Sequence, residues 1–135
     1  MTDFRHVTEA LSVSPQIELA DVAEAARQGF RTIINNRPDH EAPGQPTSAE
    51  VEAAAHAAGL AYHHIPVLGG PGPDQVEATQ RVLAEAETPI LAFCRSGTRS
   101  IVTWSICQAL DGADRGELVR QGREAGYDLS GVLGG

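Results

Sequence analysis

An apolar run, a loop of small residues and an apolar helix follow one another in this chain, and this order restricts its fold more than any other feature. Residues 89–93 are apolar throughout, which predicts a strand covered on both faces, as in a parallel sheet. Residues 94–99 predict a loop, and residues 100–110 predict a strongly apolar helix. A strand, a loop and a helix in this order indicate one unit of an α/β sheet.

The rest of the chain alternates between strand and helix patterns. Helices are predicted at residues 18–28, 47–58, 75–87 and 114–125, and strands at residues 30–34 and 61–67. Thr47 and Glu50 have the spacing of a capping box, and Asp74 is predicted to cap the helix that follows it. We therefore expect one α/β domain over residues 1–135, with a small, mainly parallel sheet and helices on both faces.

Composition argues against several classes of partner and compartment. The net charge is −8 and all ten basic residues are Arg, so the acidic surface should repel nucleic acid. No apolar run is long enough for a membrane span, and the first residues lack a secretory pattern, so we expect a cytoplasmic protein. Cys94 and Cys107 are too few for a disulfide framework and wrongly spaced for zinc. Neither a metal nor another cofactor is expected.

The loop that begins at Cys94 carries the residues with chemical potential. A Cys at the N-terminus of a helix lies where the helix dipole and the unpaired N–H groups favour a thiolate. Ser96, Gly97 and Thr98 are small enough for the loop to curl, so that several N–H groups converge on one anion. The pattern predicts a nucleophilic Cys beneath an anion-binding loop.

Two residues at the end of this loop complete the predicted site. Arg99 supplies a forked donor to an anion, and Ser100 is placed to donate a hydrogen bond to the sulfur and help it leave. Arg95 is expected to project towards solvent or substrate and to help attract an anionic donor such as thiosulfate. Cys107 lies within the apolar helix and is interpreted as an inert core residue.

Residues at the ends of two earlier strands are weaker candidates. Arg37 and Asp39 follow a predicted strand and share the edge of Cys94 in a parallel sheet, so Arg37 is predicted to line the pocket. A turn held by the Asp39 side chain explains this segment equally well. His63 and His64 point to opposite faces of their strand, and one of them could approach the site.

The loop resembles those of Cys-dependent phosphatases and rhodaneses, and the chain is similar over most of its length to a bacterial family, the beta-lactamase-hydrolase-like, phosphatase-like domain. This resemblance implies a dual-specificity-phosphatase-like fold and activity as a sulfurtransferase or a phosphatase. The segments that carry it are residues 13–17, 29–35, 37–39, 64–67 and, most specifically, 94–100.

Three details favour sulfur transfer over phosphate hydrolysis. Tyrosine and dual-specificity phosphatases have five residues between Cys and Arg, whereas four separate Cys94 from Arg99. A smaller ring of N–H groups suits one sulfur atom better than three phosphoryl oxygens. Phe93 stands where phosphatases usually have His, and residues 65–70 lack the carboxylate that would serve as general acid.

The sequence-based prediction is therefore a rhodanese-like sulfurtransferase that carries sulfur as a Cys94 persulfide. Its expected partners are a small anionic sulfur donor, such as thiosulfate, and a thiol or cyanide acceptor. The family resemblance also implies a partnership with persulfide-oxidising, metallohydrolase-like enzymes. The alternative is a phosphatase that passes through a phosphocysteine.

Overall fold

The computed structural model describes residues 2–133, which form a sheet with helices on both faces. The strands are β1 (Arg5–Thr8), β2 (Leu11–Ser14), β3 (Thr32–Asn35), β4 (Ala61–His64) and β5 (Ile90–Phe93). The helices are α1 (Leu19–Arg27), α2 (Ser48–Ala57), α3 (Pro73–Glu85), α4 (Thr98–Leu110), α5 (Arg115–Glu124) and α6 (Ser130–Leu133). The predicted α/β architecture is confirmed.

The strand order β1-β2-β5-β3-β4 places the strand that precedes the Cys loop at the centre of the sheet. β5 pairs in parallel with β2 and β3, and β3 pairs in parallel with β4, while β1 is an antiparallel edge strand. Phe93 is level with both Ser14 and Asn35, and Asn35 is level with His64. The carboxyl ends of four parallel strands therefore meet at one edge, where ligands of such sheets bind.

β5 is buried on both faces, as its apolar run predicts. Ile90 and Ala92 pack into the core beneath α3 to α6, whereas Phe93 packs into the core beneath α1 and α2. Each large apolar side chain buried here contributes roughly 1.5–3 kcal/mol. The Cys loop is thus anchored to the central strand of the sheet, all four residues of which are buried.

Helix starts agree with the sequence in one place and differ in another. The capping box is confirmed: Thr47 Oγ1 accepts a hydrogen bond from the Glu50 N–H, and the Glu50 carboxylate accepts one from the Thr47 N–H. The predicted cap at Asp74 is wrong, because Gly72 caps α3 and Asp74 lies in its first turn. Pro73 favours the first helical position, since its missing N–H needs no partner there.

The β1–β2 pair and α6 were not predicted from the sequence. Each of these two strands has only four residues, and all four residues of β2 are buried, two of them serines. The observed strands β3 and β4 are shorter than the predicted ranges 30–34 and 61–67, and they end at Asn35 and His64. Among the described residues, no helix is long and apolar enough to cross a membrane.

Candidate functional site

Cys94 lies directly after β5, at the edge where the parallel strands end. The residue is fully buried, and its Sγ accepts a hydrogen bond from the Gly97 N–H at 3.1 Å. An N–H group at the start of α4 thus already points at the sulfur, as the sequence pattern predicts. The bond holds the sulfur beside the N-terminus of α4.

The carbonyl groups of the loop are bound by neighbouring segments. The Arg95 carbonyl accepts a hydrogen bond from the Gln16 N–H at 3.2 Å, and the Ser96 carbonyl accepts one from the Tyr127 hydroxyl at 2.8 Å. Gln16 follows β2, and Tyr127 follows α5. The two bonds tie the loop to both sides of the sheet edge.

Gly97 is required by the curl of the loop. It caps α4 with a φ of 91°, in the left-handed region that side chains disfavour. A Cβ at this position would overlap the Tyr127 hydroxyl and come within 3.4 Å of the Ser14 carbonyl carbon. Any larger residue would therefore strain the backbone and displace Tyr127.

The remaining loop side chains are exposed. The Ser96 hydroxyl donates to Thr98 Oγ1 at 2.9 Å and accepts from the Thr98 N–H at 3.3 Å, which stabilises the first turn of α4. Arg95 is exposed, in agreement with its expected projection towards solvent. Direct contact of these residues with a substrate stays a prediction.

Arg99 is held from two directions by acceptors in other loops. Its Nη1 donates to Glu41 Oε2 and to the Val67 carbonyl, both at 2.8 Å, and its Nη2 donates to Glu41 Oε1 at 2.8 Å. The Glu41 carboxylate raises the pKa of Arg99, and the nearby Cys94 sulfur adds to this effect. The guanidinium therefore stays charged and lies next to the sulfur.

Arg99 keeps donors for a ligand. Within the described part of the chain, three of its five N–H groups have partners. The remaining two are on Nε and Nη2 and form the side-on edge of the guanidinium. That edge can bind two oxygens of one anion.

Arg37 reaches this edge of the sheet but contacts protein groups. The side chain is only 5% exposed; its Nε donates to Glu41 Oε1 and its Nη1 to Gln16 Oε1, both at 2.9 Å. This geometry favours a positioning role. The predicted contact between Arg37 and substrate remains untested.

Glu41 joins the two arginines and is ionised throughout the physiological range. Hydrogen bonds from Arg99 and Arg37 lower its pKa to about 2, against the smaller opposing effect of burial. A carboxyl group with this pKa has no proton to give at neutral pH. Glu41 therefore does not supply the missing general acid.

Ser100 is buried, and its hydroxyl has no hydrogen-bond partner among residues 2–133. The predicted bond from this hydroxyl to the Cys94 sulfur is not formed in this structure, where the Gly97 N–H binds the sulfur instead. Burying a hydroxyl without a partner costs free energy, so such a group calls for an explanation. A hydrogen bond from Ser100 to the Cys94 sulfur that forms only during the reaction would explain it.

The other candidates have structural partners. Asp39 Oδ1 accepts the Ser48 N–H at 2.7 Å, which supports the interpretation of Asp39 as a turn residue. His64 Nε2 lies 2.9 Å from the Arg37 carbonyl. No carboxylate occurs between residues 65 and 73, so Asp74 of α3 is the first one after β4.

Three residues of the site were not predicted from the sequence: Gln16, Glu41 and Tyr127. Glu41 lies in the loop between β3 and α2, 58 positions before Arg99, and no local pattern marks it. Gln16 lies within residues 13–17, a segment that carries the family resemblance. This resemblance is the one sequence signal that marks Gln16 as a candidate site residue. Residues 2–133 contain no group of three or more His, Cys, Asp or Glu side chains that could hold a metal ion.

The fold and the Cys loop together define a Cys-dependent, phosphatase-like class of protein. A kinase-associated phosphatase has the same fold, with a TM-score of 0.74, 13% identity and coverage of 93% of this chain and 83% of that one. A candidate phosphatase from Neisseria meningitidis Z2491 is more similar, with a TM-score of 0.86, 34% identity and coverage of 99% and 96%.

Sequence comparison gives the family. The chain belongs to the family of the beta-lactamase hydrolase-like protein, phosphatase-like domain, whose model matches residues 3–111. A beta-lactamase hydrolase-like protein of Agrobacterium fabrum is 40% identical over 125 residues, which are 91% of this chain and 29% of that protein. A second, from Xylella fastidiosa, is 38% identical over the same shares. The chain thus spans less than a third of the length of these curated relatives.

Proposed function

We propose that this chain is a Cys-dependent phosphatase in which Cys94 forms a phosphocysteine. The observation that carries the proposal is the Cys94 sulfur near Arg99 at the carboxyl ends of the strands, with two N–H groups of that guanidinium left without partners among the described residues. The family and the named neighbours support this reaction, and they give no support to the sulfurtransferase that the sequence alone favours.

In the first step, the Cys94 thiolate attacks the phosphorus of a phosphate monoester. The S–P bond forms, the P–O bond to the leaving group breaks, and that oxygen departs with the electron pair. Arg99 and the N–H groups at the start of α4 stabilise the charge on the transferring group. Water then hydrolyses the S–P bond, and the Ser100 hydroxyl donates a hydrogen bond to the departing sulfur.

The residues around the site restrict the leaving group. Glu41 is ionised at neutral pH, and residues 65–73 contain no carboxylate. The leaving oxygen therefore departs without a proton from Glu41 or from a carboxylic acid in residues 65–73. Esters of phenols, whose anions are stable, should be cleaved faster than alkyl phosphates.

Sulfur transfer is the second candidate, favoured by the four-residue spacing between Cys94 and Arg99. The Cys94 thiolate would attack the outer sulfur of thiosulfate, break its S–S bond and release sulfite. The resulting Cys94 persulfide would pass its sulfur to a thiol or to cyanide. A persulfide-oxidising enzyme is the partner that this candidate implies.

Intact-mass spectrometry decides between the two candidates. The protein would be incubated with an aryl phosphate or with thiosulfate, alongside Cys94→Ser and the matched control Cys107→Ser. We expect phosphate release and a trapped phosphoryl adduct in the parent and in Cys107→Ser, and neither in Cys94→Ser. A gain of one sulfur from thiosulfate, without phosphate release from the ester, would overturn the phosphatase proposal.

Both candidates need a reduced thiol, so we propose a reducing compartment, such as the cytoplasm, for this chain. Both also use a small anionic substrate rather than a nucleic acid, in keeping with the net charge of −8.

A further inference from the structure

We propose that Glu41 is a positioning residue that turns the side-on edge of Arg99 towards Cys94. The inference depends on the proposed function only in that Arg99 binds the anion, a role that both candidate reactions share. It assigns a task to a loop residue that does not touch the reacting atoms.

The hydrogen bonds of Arg99 carry this inference. Glu41 takes one N–H from each of Nη1 and Nη2, and the Val67 carbonyl takes the second N–H of Nη1. These contacts occupy both N–H groups of Nη1 and one of Nη2. The N–H of Nε and the second N–H of Nη2 stay available to a ligand. A guanidinium held in this way has one orientation in which its free edge can meet an anion.

Arg37 and Gln16 hold Glu41 in turn. The carboxylate of Glu41 also accepts from Arg37 Nε, and the buried Arg37 side chain donates to Gln16 Oε1. The Gln16 N–H binds the Arg95 carbonyl of the Cys loop. A continuous chain of bonds thus runs from Arg99 through two other loops and back to the Cys loop.

The backbone before Glu41 supports a constrained position. His40 has a φ of 65°, and among the described residues it is the one residue other than glycine with a positive φ. Such strain persists where the surroundings enforce it. Three other contacts hold the same loop: Gln45 donates to the Pro38 carbonyl, the Glu41 N–H donates to Gln45, and the Ser48 N–H donates to Asp39.

Two alkylating reagents of different charge test the inference without assuming either reaction. Iodoacetate is an anion and iodoacetamide is neutral, and each forms an S–C bond with the Cys94 thiolate while iodide leaves. The ratio of their rates measures how well Arg99 receives an anion. Cys107→Ser serves as the background, so that Cys94 is the reacting thiol.

The sign of the effect separates positioning from simple charge. In Glu41→Ala a negative charge near the site is removed. By itself this change would repel iodoacetate less and raise the ratio of the iodoacetate rate to the iodoacetamide rate. Loss of positioning lowers it, by about 10-fold, the scale of one hydrogen bond to a charged group. We expect the lower ratio, with Glu41→Gln between parent and Glu41→Ala. A ratio that rises equally in both variants would overturn the proposal.

Binding of inorganic phosphate gives a second measurement that needs no access for an alkylating reagent. NMR titration of the Gly97 amide should show affinity about 10-fold weaker in Glu41→Ala than in Glu24→Gln, which removes a charge from the distant helix α1. Equal affinities would contradict the inference. If Arg99→Ala itself leaves phosphate binding unchanged, the role of Arg99 in the proposed function fails, which is a separate result.

Discussion

Cys94 and Cys107 are both buried, but the groups around the two sulfur atoms differ. Cys94 accepts an N–H at the start of α4, whereas burial raises the pKa of Cys107 to about 11. At pH 7 the thiolate fraction of Cys107 is about one part in ten thousand. Iodoacetamide at this pH should therefore modify Cys94 at least about 10-fold faster than Cys107. Peptide mass mapping over time checks the order, and faster labelling of Cys107 would refute the assignment of the nucleophile.

Gly97 offers a second prediction at the same scale. In Gly97→Ala, the new Cβ meets the Tyr127 hydroxyl in addition to the strain of a positive φ. We expect a loss of about 1–3 kcal/mol in the free energy of unfolding and at least about a 10-fold loss of turnover. Urea titration and a rate assay measure the two effects.

Gly59 provides the matched control for this substitution. It has a φ of 82°, and no atom of residues 2–133 lies within 4 Å of a Cβ built there. Gly59→Ala should lose stability by the backbone cost alone and keep its turnover. If the two variants behave alike, the contact between Gly97 and Tyr127 has no role in the site.

At the scale of elements, the length of the Cys loop is the feature that separates the two candidate reactions. Inserting one Gly between Thr98 and Arg99 would give the five-residue spacing of phosphatases and widen the ring of N–H groups. If loop length sets the reaction, the insertion variant should bind vanadate more tightly than the parent, and any sulfur transfer from thiosulfate should be slower than in the parent. Efficient hydrolysis of aryl phosphates by the parent, with no gain in the insertion variant, would show that spacing does not determine the reaction.

Patterns confined to neighbouring residues could be predicted at this scale. The capping box of Thr47 and Glu50, the buried run of β5 and the turn into α4 each depend on a few consecutive residues, and each is confirmed. Contacts between distant loops could not be predicted. The bond of Glu41 to Arg99 depends on which strand ends meet in the folded sheet. β2 lacks the sequence pattern of a buried strand, because two of its four buried residues are serines.

At the scale of the whole molecule, Glu41 links acid stability to the site. Its pKa is about 2 in the folded protein, below the ordinary 4.5, so the folded state favours the ionised form. This contribution is complete above pH 4.5 and is lost as the pH falls towards 2. With an allowance for the partial exposure of the side chain, its size is about 1–2 kcal/mol.

Comparison with Glu41→Gln isolates this contribution from that of the other carboxylates. The parent should be more stable than the variant by about 1–2 kcal/mol at pH 7, and the difference should shrink between pH 4.5 and 2.5. Urea unfolding at a series of pH values measures it. A difference that stays constant with pH would mean that the ionisation of Glu41 does not stabilise the fold.

The position of Cys94 at the end of the central strand has a consequence for the timescales of the site. β5 is paired on both sides and buried on both faces, so its amide protons should exchange with solvent only in the rarest openings of the molecule. Glu41 lies in a loop outside the sheet, where opening costs far less. The strand that carries Cys94 should therefore open more rarely than other parts of the molecule. The loop that carries Glu41 can open and close many times between two openings of that strand.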